Sequence, residues 1–175
     1  MRTLARQRGV SLIEVLMAVL IFSVGLIGLA GLLVMASRSN QAAYLRTQVT
    51  FLAGNMADRM RANPVGLWNG AYDGAVKTGG TAKACDAGAA CTPAEIAARD
   101  RAAWATMLAT ALPDPQATIS CDKGSAGFTL SADQVNMRPP FGGSCSMTVS
   151  WTERRAGDKA HSDGAKQTFA WVFQP

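Results

Sequence analysis

The chain has 175 residues, four cysteines, one histidine and a formal charge of +5, enough for one domain of ordinary size once a long apolar segment near its start is set aside. Without the first nine residues, which hold Arg2, Arg6 and Arg8, 14 Lys and Arg face 12 Asp and Glu. The remaining charges are scattered with no basic helix and no aromatic interleaving, which argues against a nucleic-acid partner.

From Val15 to Ala36 there are 22 residues whose one polar side chain is Ser23. As a helix they cover about 33 Å at ~1.5 Å per residue, enough to span a hydrocarbon core. The basic stretch before them holds the start on the cytoplasmic side and sends the rest outward. A secretory signal fits less well, because its apolar core is usually about 7–15 residues and ends in a small-residue cut. Ala36-Ser37-Arg38 offers no such cut. An ordinary signal anchor gives no reason for Glu14 to stand at the edge of the apolar run.

The residues Arg6-Gln-Arg-Gly9 followed by Val10-Ser-Leu-Ile-Glu14 and an unbroken apolar run resemble the amino terminus of the type IV prepilins and pseudopilins. In that family a short basic leader ends in glycine, and a membrane-embedded prepilin peptidase cuts after it and methylates the new terminus. The resemblance implies a leader of residues 1–9, cleavage between Gly9 and Val10, and methylation of Val10; most members have phenylalanine at that place. It also implies an assembly role for Glu14, pairing with the amine of a neighbouring subunit. The residues themselves allow a second reading, compensation of the helix's own first turn and of the amine one turn away. Gly25, Gly28 and Gly31 follow at three-residue spacing, suited to close packing or to local loosening of the helix but not to a G-x-x-x-G dimer motif.

Beyond Ala36 the pattern becomes amphipathic, with Leu45, Val49, Leu52, Met56 and Met60 on one stripe and Arg38, Arg46, Asp58, Arg59 and Arg61 on solvated faces. Asn63-Pro64 supplies the stop. The expected organisation is thus a spine helix over 10–63, transmembrane over about 12–36 and amphipathic over 37–63, followed by a globular domain over 64–175. Gln41-Ala-Ala-Tyr-Leu-Arg46 and Asn55-Met-Ala-Asp-Arg-Met-Arg-Ala-Asn-Pro64, taken with the glycine segment, are similar to the PilV-type minor pilins, the type IV pilus modification proteins, over about the first 64 residues.

Residues 65 to 92 read as loop. Thr92-Pro-Ala-Glu95 is a capping box that opens a helix burying Ile96, Trp104, Met107, Leu108 and Leu112, with Trp104 in the core. Four period-two runs, 117–121, 127–131, 145–151 and 168–173, predict an antiparallel sheet. In the third, Cys145, Met147, Val149 and Trp151 share one face, and Ser146, Thr148 and Ser150 the other, as in a sheet lying on the spine helix. Arg154 to Gly164, which includes His161, reads as a polar hairpin loop. The fold class is therefore α+β and, by the resemblance, pilin-like: a long amino-terminal helix packed on a small antiparallel sheet with one extra helix.

All four cysteines follow the apolar run, where disulfides form in an oxidising compartment. Of three connectivities, Cys85 with Cys91 and Cys121 with Cys145 is expected because each pair brackets a loop-rich stretch; such rings contribute about 2–3.5 kcal/mol each on the loop-entropy model. The spacing and a single histidine speak against a metal, and no cofactor is expected. No nucleophile elbow or phosphate loop is present, and Asp114, Asp122 and Asp133 stand apart in turns, so no enzyme is expected.

The resemblance implies a minor pilin of the bacterial type IV pilus. It would rest in the inner membrane with its amino terminus cytoplasmic and its outer domain periplasmic, then join the filament at its tip. The implied partners are the other minor pilins and the major pilin, the prepilin peptidase, the pilus assembly platform and a tip adhesin. Its implied roles are pilus biogenesis, adhesion and twitching motility. A minor pseudopilin of a type II secretion system shares these features. A membrane-anchored periplasmic binding module or enzyme is the competing class and predicts an uncut leader.

Overall fold

The structure, a computed structural model, describes residues 9–78, 82–85, 88–154 and 164–175. The chain divides into two units, Met1–Gln41 and Ala42–Pro175. The described residues form four α-helices, α1 (Leu12–Ala62), α2 (Pro64–Trp68), α3 (Pro93–Ala111) and α4 (Ala132–Asn136), together with four strands, β1 (Gly74–Val76), β2 (Gln116–Asp122), β3 (Ser144–Arg154) and β4 (Gly164–Phe173). A 3₁₀ turn covers Gly124–Ala126.

In the first unit every described residue is exposed, and the helical part carries apolar side chains on all sides. In the second unit α1 buries one stripe, Leu45, Val49, Met56 and Met60, with Ala53 and Ala57 filling the gaps. Helical period sets this stripe, because residues three and four apart lie on one face. α1 stops at Ala62 because Pro64 disfavours helical angles at the residue before it, and Asn63 sits at φ −128°, ψ 63°. The same proline opens α2, since the first position of a helix needs no amide donor.

Asn63 is buried, so each of its polar atoms needs a partner. Its carbonyl accepts from Gly66 N at 3.2 Å, and its amide donates to Pro93 O at 2.8 Å and to the Tyr72 hydroxyl at 3.2 Å. Tyr72 in turn donates to Asp100 Oδ2 at 2.8 Å, while Asp100 Oδ1 accepts from Arg59 Nη1 at 3.0 Å. Burial, aided by the neighbouring Asp100 carboxylate, pushes the Tyr72 hydroxyl well above the usual tyrosine range and keeps it a donor.

α3 begins with a reciprocal capping box. Thr92 Oγ1 accepts from Glu95 N, and the Glu95 carboxylate accepts from Thr92 N at 2.8 Å. Its Trp104 is fully buried and donates its indole N–H to Leu52 O of α1 at 2.8 Å. The sheet is antiparallel throughout in the order β1-β2-β3-β4, and its registers run without a bulge. Cys145, Met147, Val149 and Trp151 of β3 face a core shared with the α1 stripe, Trp104, Leu108 and Ile119. The disulfide Cys121–Cys145 joins two residues that are register partners on β2 and β3, 4.0 Å apart at Cα, and Cys85–Cys91 closes a short loop before α3.

Several details depart from the sequence expectations. Residues 127–131 are no strand: Gly127 takes a left-handed φ of 75° after the 3₁₀ turn, and Ser131 caps α4 in a second reciprocal box with Gln134. The fourth strand is β1, in the stretch expected to be loop; its three residues are extended because they pair with β2. Pro64 starts a helix as well as ending one, and with α4 this makes three helices after α1 instead of one. Ile96 is 36% exposed, since Ala97 and Asp100 occupy the inward face instead. Arg59 is no freely solvated charge but holds Asp100, and Ser150, flanked in register by Gln116 and Thr168, is buried. Residues 155–163 of the expected hairpin loop, with His161, lie outside the described residues.

Two outcomes follow. Replacing Asn63→Ala removes a cap and strands the Tyr72 and Pro93 partners, so urea unfolding followed by tryptophan fluorescence will show a loss of about 2 kcal/mol. Hydrogen bonding from Thr92, with support from Lys83, lowers the Glu95 pKa, so its contribution is complete above the ordinary glutamate value and disappears as pH falls through the lowered one. Thermal melts should show Glu95→Gln less stable than the parent at neutral pH, with the gap closing below about pH 4.3.

Candidate functional site

The residues of interest at the amino terminus are contiguous. Gly9 and Val10 precede α1 without regular structure and are exposed. Ser11 O accepts from Glu14 N at 3.0 Å and from Val15 N at 3.3 Å, which starts the helix there and places Glu14 in its first turn. An acid in that position faces the positive end of the helix dipole, worth about 0.3–1 kcal/mol at an exposed site. Glu14 and Val10 are four residues apart, one helical turn. Residues 1–8, the rest of the expected leader, lie outside the described residues.

From Leu12 onward α1 is long and apolar enough to cross a membrane. An exterior this apolar has no place in water, where each buried methylene gains about 0.8 kcal/mol. Helix rise sets a distance that residue types alone do not show. Glu14 lies 22 residues before Ala36, about 33 Å along the axis, against a hydrocarbon thickness of ~30 Å. Were Arg38 set at one water boundary of such a layer, Glu14 would reach the other, with the Gly9–Val10 peptide just beyond it. An isolated charge deep in the layer would cost about 2.5–3.5 kcal/mol on the insertion scale, a cost that a charge at its edge would avoid.

Gly25, Gly28 and Gly31 are helical, and a methyl group added at any of them would meet nothing within 4 Å. Among the described residues, nothing requires their small size.

Apart from this segment, the described residues hold no group of three or more His, Cys, Asp or Glu suited to a metal ion. Asp122 binds Gly124 N at 2.8 Å in its own turn. Asp114 and Asp133 stand at separate places, Asp114 with a left-handed φ of 47° and Asp133 in the first turn of α4. The polar cluster that sequence reasoning missed is Arg59, Asn63, Tyr72 and Asp100. Only the odd pairing of a helix-stop asparagine with an acid on the apolar side of α3 could have signalled it, and its bonds are all internal.

Residues 4–30 match the family model described as the prokaryotic N-terminal methylation motif. No curated protein and no solved structure matches the chain. The matched stretch contains Gly9, Val10 and Glu14 and supports a pilin-like protein, pilin or pseudopilin, whose amino-terminal helix suits membrane anchoring.

If the glycines serve flexibility, Gly25→Ala, Gly28→Ala and Gly31→Ala together will slow amide hydrogen exchange over 25–31 in micelles and leave the melting of the second unit unchanged. Each change adds about 1 kcal/mol of helix preference.

Proposed function

We propose that the protein is a minor pilin of a bacterial type IV pilus, made with a leader of residues 1–9 that prepilin peptidase removes at Gly9–Val10 before methylating Val10. The observation that carries the reading is the methylation motif over residues 4–30 at the head of a helix that is apolar from Val15 to Ala36 but for Ser23. In the precursor the amino terminus is cytoplasmic, the helix crosses the inner membrane, and the disulfide-tied α+β unit lies in the periplasm. Its partners are the other minor pilins, the major pilin and the assembly platform, with a tip adhesin beyond. Together they prime the filament for adhesion and twitching motility.

Glu14 serves this cycle through its position. At rest it is hydrated at the cytoplasmic boundary, so the cost arises only when the subunit moves outward and the carboxylate enters hydrocarbon. Pairing with the amine of a neighbour's first residue offsets that cost at the step where assembly occurs. Docking is thereby favoured over sliding out alone.

The same motif serves pseudopilins, and a type II secretion role is the alternative reading. Loss of surface pili on deletion supports the first; loss of enzyme secretion with pili intact supports the second. Mass spectrometry of the purified chain is expected to begin at methylated Val10, whereas an intact Met1 rejects both. Glu14→Ala should leave that terminus processed while the subunit disappears from sheared filaments, read by immunoblot of filament and envelope fractions.

A further inference from the structure

The two edges of the sheet are finished differently. At one, β1 is three residues long and its Ala75 carbonyl accepts from Arg101 Nη2 of α3 at 2.6 Å. Past the end of β1, the Cys121 amide of β2 is taken by Asp73 Oδ1 at 2.8 Å. A strand of three residues with a side chain on its middle carbonyl, beside a β2 amide taken by Asp73, offers no row of free groups and is a sealed edge. At the other, β4 pairs with β3 over ten consecutive residues with no bulge, contains no proline, and carries its one charge, Lys166, near its start. Among the described residues, no hydrogen bond reaches the β4 backbone from anything but β3. Phe169 and Trp171, on its inner face, are half-buried, and Val172 on the other is 70% exposed.

We propose that the open edge of β4 receives an extended strand from a different subunit of the assembly. The row of outward amide and carbonyl groups, about 33 Å long at ~3.3 Å per residue, has one full complement, another extended backbone. The incoming strand places apolar side chains beside Phe169 and Trp171 and small or polar ones beside Thr168 and Ala170. It comes from a different chain because subunits of a filament share one polarity, which rules out two-fold β4–β4 pairing of copies. Head-to-tail pairing of copies needs a second open edge, whereas the β1 edge is only three residues long with its Ala75 carbonyl taken. A subunit built this way accepts one strand and passes none on, which suits a place occupied once and not a repeating one. The inference rests on the pilin reading for the existence of neighbouring subunits.

The test places a photo-crosslinking phenylalanine analogue at Thr168, Ala170 or Val172 of the full chain in its native envelope, with Ala75 and Thr110 as control positions. The expected result is adducts from the three β4 positions to one other polypeptide, at sites that step by two residues, and little from the controls. Alternate β4 amides should also lose hydrogen exchange in the assembled state relative to the detergent-extracted chain. Adducts with a second copy, adducts with lipid, equal adducts at the controls, no adducts, or unchanged exchange each overturn the proposal. The amino-terminal mass from the same preparation separates the two readings. Methylated Val10 without β4 adducts rejects the strand and leaves the pilin reading, and intact Met1 with stepping adducts does the reverse.

Discussion

The Asn63 side chain accepts the Gly66 amide while donating to Tyr72 and to Pro93, so the end of α1 and the starts of α2 and α3 share one amide group. Each of these ends leaves orphan donors or acceptors that water cannot reach once the core forms. Because that amide is buried, a shift in any of the three helices leaves another partner unmet. The Tyr72–Asp100–Arg59 chain extends the constraint to the body of α3 and back to α1, and Trp104 adds its bond to Leu52. Packing of the α1 stripe against β3 thus depends on polar groups that fix where the helices begin and end.

The amino-terminal segment obeys a different constraint, the match between helix length and bilayer thickness. Glu14 does not interrupt the apolar run so much as mark where it ends. Set against hydrocarbon of ~30 Å, the proposed cycle makes the carboxylate an edge group before assembly and a buried one during it. In that proposal the energy of the carboxylate changes with position along the helix axis, which is how a single acid would acquire a direction.

Long elements could be read from the sequence because many residues vote for the same period. The α1 stripe, α3 with its Thr92–Glu95 box, and the alternation of β3 all have this redundancy, and the structure has each of them. Short elements lack it. β1 is extended only because β2 is beside it, and 127–131 alternates for too few residues to outweigh Gly127 and the Ser131–Gln134 box, a pattern legible in retrospect. The Arg59–Asp100–Tyr72–Asn63 cluster was illegible because its members are up to 41 positions apart and meet only in the folded chain. The terminal motif is the opposite case, a contiguous string whose meaning requires no folding.

The bond between Cys121 and Cys145 also defines a permissive site. Between the two cysteines the chain leaves the sheet, forms the 3₁₀ turn and α4, and returns, anchored by buried Phe141 against Trp68, with the more exposed Phe128 on the same ring. Both ends are held by paired strands and a covalent link, with Ser125 tied to Ser144 where the stretch rejoins the sheet, so the registers of β2 and β3 do not rest on the turn after α4. At its turn, Met137 is 80% exposed and Arg138 already occupies a left-handed φ of 59°. Added residues there lengthen a loop whose closure cost grows only with the logarithm of its size. An epitope or fluorophore-binding tag inserted at that turn would report on the subunit in living cells without touching the terminal motif, the core or either sheet edge.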